Sequence, residues 1–216
     1  MMASHPSTTI SHPIPISIPK SKPKPNLRLL PCDPLVDGPA LLAQQIAAFS
    51  NPHEPFFFVL FPETEEREKA VKRFVSIWLS DKNAKYVKIV NEEGTLISAA
   101  KWLVNTRPLS EEQKKERITV DWHPDEDSNE WAEYLINWIH QHQISRTEGN
   151  PCVILDTLST HPSYQRLGAG TLFNAIRHGF MATPNRYIEV EVPEKWKARP
   201  KIEYFFYERQ RGDGRV

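Results

Sequence analysis

Cysteine is nearly absent. Cys32 and Cys152 are the two in 216 residues, too few for a disulfide framework or a four-thiolate zinc site. A reducing, intracellular setting is the expectation, with the cytoplasm as compartment. An excess of either charge is lacking too: Lys and Arg number 27 and Asp and Glu number 27, for a net charge of zero. A chain without net charge has no field to steer a polyanion, which argues against a dedicated nucleic-acid binder. No run approaches the roughly 18 apolar residues of a membrane helix, so no membrane partner is expected. Glycine is scarce, at 8, yet Gly168 and Gly170 fall within three residues of each other.

Proline is plentiful, at 19, and concentrated at the start. In residues 1–25 it alternates with Ser, Ile and Lys, as in Pro13-Ile14-Pro15-Ile16-Ser17-Ile18-Pro19. Proline removes donors and fixes φ, so this segment reads as a disordered, solvated tail, with a proline-motif docking segment as the alternative. It has neither the uninterrupted apolar run of a secretory signal nor the arginines of a transit peptide. The folded domain is expected over residues 26–216.

Residues 27–30 read as a short strand. Asp37-Gly38-Pro39 is expected to open a helix whose apolar face carries Leu42, Ile46 and Phe49. The apolar run 56–61 has no decisive period. A second helix is expected after Thr64, with Ala70, Val71, Phe74, Val75 and Trp78 in one stripe. Residues 86–90 and 96–104, joined by Asn91-Glu92-Glu93-Gly94, predict an antiparallel hairpin. Residues 105–150 read as a helical insertion: a capping box at Ser110-Glu111-Glu112-Gln113, then a helix from Ser128 with Trp131, Leu135, Trp138 and Ile139 on one face. The acidic link 121–127 between them is expected to be a solvated loop.

Residues 152–160 are β-branched and mostly apolar, the pattern of a buried strand. A loop carrying Gly168 and Gly170 follows, and residues 171–181 return to helical period with Leu172, Phe173, Ile176 and Phe180 inward. A loop entering a helix presents unpaired amides at the positive end of a dipole, and glycine lets an anion approach the backbone. This is a candidate phosphate cradle, or a connection with no ligand. A P-loop is excluded because no Lys follows Gly170. The dinucleotide fingerprint fits poorly, since Phe173 stands where Gly or Ala is required and too little chain remains for a doubly wound sheet. A Rossmann-type binder is therefore the distant third reading.

Leu155-Asp156-Thr157-Leu158-Ser159-Thr160-His161-Pro162-Ser163-Tyr164-Gln165-Arg166-Leu167-Gly168-Ala169-Gly170 resembles the central motif of the GNAT family, the GCN5-related N-acetyltransferases. Gln165, Gly168 and Gly170 match the fixed positions of Gln/Arg-x-x-Gly-x-Gly/Ala. The resemblance covers about residues 27–181. It implies an α/β fold: a mixed, splayed central sheet flanked by helices that binds acetyl-CoA as co-substrate. By that resemblance the pyrophosphate lies on the amides of Arg166, Leu167, Gly168, Ala169, Gly170 and Thr171, Gln165 belongs to the same cofactor-binding loop, and the pantetheine arm pairs with the backbone of Leu158, Ser159 and Thr160. Acetyl transfer to an amine of unknown identity would follow, and it needs a base, a dipole at the thioester oxygen and an acid.

Asp156 is the candidate base, on the expectation that it faces the same way as Leu158 and Thr160; the alternative is a polar strand residue satisfied by a neighbour. His161 reads as a strand-end residue. His140 and His142 point apart on a helix and make poor joint metal ligands. The tryptophans at 78, 102, 131 and 138 are expected in the core.

Residues 182–216 depart from the family. A strand is expected at 186–192 and irregular chain beyond it, with no further helix or closing strand pair: an atypical or incomplete C-terminal lobe. Tyr204 and Tyr207 are candidates for the general acid, or simply aromatics packed on a core. An exposed sheet edge and the run Tyr204-Phe205-Phe206-Tyr207 would favour self-association. Two function classes compete: an acyl-CoA-dependent N-acyltransferase, and a non-catalytic CoA-binding or interaction protein.

Overall fold

A computed structural model describes residues 26–175, 183–190, 192–200 and 203–208. The expectations for residues 1–25, for the helix beyond residue 175 and for residues 209–216 lie outside the described residues.

Strand β1 (Arg28–Pro31) is followed by α1 (Pro34–Ser50), α2 (Pro55–Leu60) and α3 (Arg67–Ser80). The hairpin β2 (Ala84–Val90) and β3 (Leu96–Asn105) comes next, then α4 (Glu111–Lys115) and α5 (Glu126–Thr147). The chain continues through β4 (Cys152–Thr160), α6 (Ala169–Ala175), β5 (Thr183–Glu189) and β6 (Glu203–Glu208).

Helix α1 begins earlier than Asp37-Gly38-Pro39 suggested. Asp33 caps it, its side chain accepting from the amides of Leu35 and Val36 at 2.9 and 3.2 Å, and Pro34 takes the first helical position. Pro39 sits inside the helix without ending it. Asp37 turns inward, where both its oxygens lie 2.6 Å from Lys88 Nζ of β2, tying α1 to the sheet. The run 56–61 becomes α2, capped by Glu54. Helix α3 starts after Glu66, two residues beyond the expected Thr64 cap; its stripe holds, with Ala70, Phe74 and Trp78 buried. The β2–β3 hairpin forms as expected, with Gly94 at φ 82° in its turn. The capping box at Ser110 is present, and α5 starts from Asp125 rather than Ser128.

The sheet order is β1-β2-β3-β4, with β5 and β6 in a separate two-stranded sheet. The α/β class and the helix-flanked central sheet are as expected. Every pair between described strands is antiparallel, so the parallel pairing that a mixed sheet adds is not among them. An antiparallel sheet also excludes the doubly wound Rossmann arrangement, which requires parallel strands. The expectation of irregular chain after residue 192 is corrected. Strand β5 begins at Thr183, and β6 pairs with it from Glu189↔Glu203 to Thr183↔Glu208. The aromatic run that forms β6 has the strand propensity to do so.

Among the described residues three apolar clusters hold these layers together. Leu41, Leu42, Phe74, Trp78 and Tyr86 pack α1 and α3 on one face of the sheet. Ile89, Ile97, Ala100, Ala169 and Phe173 pack α6 on the sheet as well. Phe173, too large for a dinucleotide fold, is buried there. Val59, Trp131, Leu135, Val190 and Trp196 join α2 and α5 to the 3-10 turn Glu194–Trp196.

Candidate functional site

Among the described residues β4 pairs only with β3, so one of its edges is open. Its polarity can be worked out. The amide of His161 donates to the Ile97 carbonyl at 2.8 Å. Antiparallel ladders alternate between hydrogen-bonded and non-bonded pairs. With the observed register, Ser159 opposite Ala99 and Thr157 opposite Lys101 are therefore bonded pairs. Leu158 and Thr160 turn their N–H and C=O groups to the open edge, whereas the backbone of Ser159 faces β3. The Ser159 carbonyl also accepts from Ser98 Oγ at 2.5 Å, and its hydroxyl donates to Gln44 Oε1 at 2.8 Å. Ser159 is thus an anchor to α1 rather than a third edge group. Gln44 Nε2, buried beside it, has no hydrogen-bond partner among the described residues.

The register then slips. Lys101 is opposite Thr157 but Trp102 is opposite Leu155, which leaves Asp156 as the extra residue of a β-bulge. The bulge resets the alternation. Leu155 and Leu158 end on the face shared with Trp102 and Ala100, and Asp156 does not. This corrects the expectation that Asp156 faces the same way as Leu158 and Thr160. Its carboxylate instead meets Lys101 Nζ at 3.0 Å and accepts from Thr157 Oγ1 at 3.3 Å. The charge of Asp156, after burial, helps raise the Tyr86 phenol above its ordinary value. Lys101 was the residue that sequence reasoning missed. Its signal was a lone Lys within the apolar run Ala99-Ala100-Lys101-Trp102, which needs an acid partner when it faces inward.

Beyond Thr160 the chain makes a 3-10 turn, Pro162–Tyr164, closed by the Tyr164 amide on the His161 carbonyl at 2.9 Å. Tyr164 packs beside the cluster under α6, which fixes the turn to the sheet. Two residues then take left-handed backbone, Arg166 at φ 63° and Gly168 at φ 94°. For Arg that conformation is uncommon, and for Gly it is free. The Leu172 amide makes the first helical bond of α6, to the Gly168 carbonyl at 3.2 Å. The amides of residues 166–170 make no backbone hydrogen bond among the described residues. A Cβ built at Gly168 or Gly170 meets nothing within 4 Å, so the space beside both is open. Gln165, Arg166, Leu167, Gly168 and Gly170 are exposed and Ala169 is buried against the sheet. The structure thus brings the open β4 edge and the Gly loop together in one continuous stretch of backbone. Tyr204 and Tyr207 lie on β6, and their side chains are outside what is described.

No family model matches this chain, and no curated protein matches it in sequence. Among the solved structures it is similar to is the histone acetyltransferase HPA2 and related acetyltransferase of Corynebacterium glutamicum. The two are 18% identical, the match covers 76% of each chain, and the TM-score is 0.40. A likeness of that size assigns no activity; the chain's own geometry bears that weight.

Among the described residues no group of His, Cys, Asp and Glu could hold a metal ion, and no helix is long and apolar enough to cross a membrane. Trp78 and Trp131 are core residues, but Trp138 is only partly buried and stacks on His142 at 5.0 Å.

Proposed function

We propose that this chain is an N-acyltransferase that holds acetyl-CoA along the open edge of β4 and the loop after it, and acetylates a primary amine by direct transfer. The observation that carries the reading is the continuity of that backbone. The outward-facing N–H and C=O groups of Leu158 and Thr160 lead, through the 3-10 turn Pro162–Tyr164, to the amides of residues 166–170, which make no backbone hydrogen bond among the described residues. The first suit the amides of a pantetheine arm, as an added strand would. The second suit a pyrophosphate, with Arg166 adding charge. Val153, Leu155 and Leu158, each 43% exposed, give the same strand an apolar flank for the aliphatic parts of the arm. The resemblance of Gln165-Arg166-Leu167-Gly168-Ala169-Gly170 to the GNAT motif supports the same placement.

When bound, acetyl-CoA supplies an activated acyl group as a thioester. The chain's own part is to hold the reactants in register and to exclude water. The bulge at Asp156 turns the strand just before the edge groups of Leu158, and the Ser159–Gln44 bond fixes that stretch against α1. Asp156 is a weak candidate for the base, because its carboxylate is already engaged by Lys101. That engagement favours a second reading, a CoA-binding protein with little turnover, since a cradle alone gives binding without a positioned acid and base. Acetyl-CoA turnover against small amines, peptides with free N-termini and lysine peptides separates the two. Calorimetric binding without turnover supports the second, and no heat with acetyl-CoA overturns both.

A further inference from the structure

Helices α1 and α3 leave an apolar groove of about 370 Å³ on their outer surface. Leu35 and Pro39 of α1 form one wall. Val71, Val75 and Leu79 of α3 form the other, each one helical turn from the next. Gly38 lets the two helices approach closely: a Cβ there would stand 2.5 Å from Val75 Cγ2. Leu35 and Leu79 are 73% and 56% exposed. Among the described residues that line the groove, Lys72 alone is charged.

We propose that residues 13–19 of this same chain, Pro13-Ile14-Pro15-Ile16-Ser17-Ile18-Pro19, dock in this groove. A residue before proline is held extended, and in extended chain alternate side chains share a face. Ile14, Ile16 and Ile18 therefore form one apolar row about 13 Å long. Val71, Val75 and Leu79 form a row about 12 Å long. A groove of apolar side chains offers no ladder partners, and a buried amide without a partner is costly. Pro13, Pro15 and Pro19 have no N–H to strand there. The tether fits as well. The Asn26 amide donates to Glu92 Oε1 at 3.3 Å, which fixes where residues 1–25 leave the domain. From Asn26 the chain runs about 17 Å along β1 to Pro31 and then turns into α1. Residues 20–25 reach about 19 Å when extended, enough to return to the level of Leu35. Lys20, Lys22 and Lys24 fall in this connecting stretch, outside the apolar groove. A second copy of the chain is a poorer occupant. Seven lining residues fall well short of the roughly 20–30 a side of a stable interface. A tethered segment needs far less area, because its effective concentration is on the order of millimolar. The proposal does not require acyl transfer at the β4 edge.

The test is disulfide trapping in the full chain carrying Ile16→Cys and Ser76→Cys. Ser76 lines the groove and is exposed. Mild oxidation should join positions 16 and 76 within one chain, at a rate independent of protein concentration. Peptide mapping separates that bridge from any made by Cys32 or Cys152. Adding Ile14→Asp and Ile18→Asp keeps the tether, removes the apolar row and should slow the bridge about tenfold. Leu79→Asp in their place should slow it to a similar extent. Leu79 is more than half exposed, so that variant should keep the wild-type circular dichroism spectrum. An unchanged rate in these variants would mean that the tether alone brings positions 16 and 76 together, and overturns the proposal. Failure to form the bridge overturns it too. Disulfide-linked dimers whose yield rises with concentration assign the groove to a second copy and also overturn it.

Discussion

Alanine at Gly170 separates the fold from the proposed cofactor contact. Gly170 is the second residue of α6, its φ lies outside the left-handed region, and a Cβ there touches nothing within 4 Å. The substitution therefore costs the fold no clash, and helix propensity favours alanine by up to about 1 kcal/mol. A phosphate held against this backbone would be pushed away by the methyl group. Losing one hydrogen bond to an ionised oxygen costs about 1.5–3 kcal/mol, which is roughly ten- to hundredfold in Kd. Gly168→Ala is the contrasting control. Its φ of 94° imposes about 1–2 kcal/mol of strain on any side chain, so it loses stability whether or not a ligand binds. Urea denaturation and titration calorimetry with acetyl-CoA, run on both variants, read the two effects separately. Gly170→Ala should keep or raise stability and bind acetyl-CoA at least tenfold more weakly. If it binds within twofold of the unsubstituted chain, the loop does not hold the phosphates.

Lys88→Met strands the inward-facing Asp37 carboxylate and should cost about 3–5 kcal/mol in urea denaturation, whereas a loss under about 1 kcal/mol would mean the pair does not tie α1 to β2. Burial first, and the Asp37 charge second, push the Cys32 thiol from 9.0 up to about 12. At pH 8 its alkylation by iodoacetamide should run about a thousandfold slower in the folded than in the unfolded chain, and equal rates would refute the shift. The same shift makes stability fall as pH rises through 9, where the unfolded thiol loses its proton and the folded one keeps it. Asp156→Asn should leave any acetyl transfer within about threefold, because Lys101 already holds that carboxylate; a loss of a hundredfold or more with unchanged acetyl-CoA affinity would restore Asp156 as the base.

The elements set by local chemistry were legible in the sequence. The Asn91-to-Gly94 turn between alternating strands, the Ser110 capping box and the stripe from Ala70 to Trp78 each rest on residues within a turn or two of one another. Element starts were less legible, because competing caps lie close together. Asp33 outdoes Asp37 because Pro34 directly follows it and because Asp37 is drawn inward by Lys88, a residue 51 positions away. Asp125 outdoes Ser128 by accepting from the Ser128 amide itself. The pairing of β5 with β6 depends on register between strands, which the aromatic run Tyr204-Phe205-Phe206-Tyr207 does not carry.

The site divides along the same line. The Gly loop was legible because backbone conformation selects residue type: Gly168 stands where φ is 94°, and Gly170 where the space beside the chain is open. The role of Asp156 was not legible, because strict alternation is the only rule a sequence offers for a strand's faces, and a bulge breaks it. One extra residue opposite the Lys101–Trp102 step moves Leu155 onto the face of Leu158 and sends Asp156 to Lys101. The slip has a consequence for chemistry. It places three apolar side chains, Val153, Leu155 and Leu158, on the flank of the open edge, and it removes the carboxylate from that flank. A strand built this way is suited to lie beside a long, largely uncharged arm. In the proposed transfer, the proton from the amine passes to a group other than Asp156, the one the unbroken alternation would have offered.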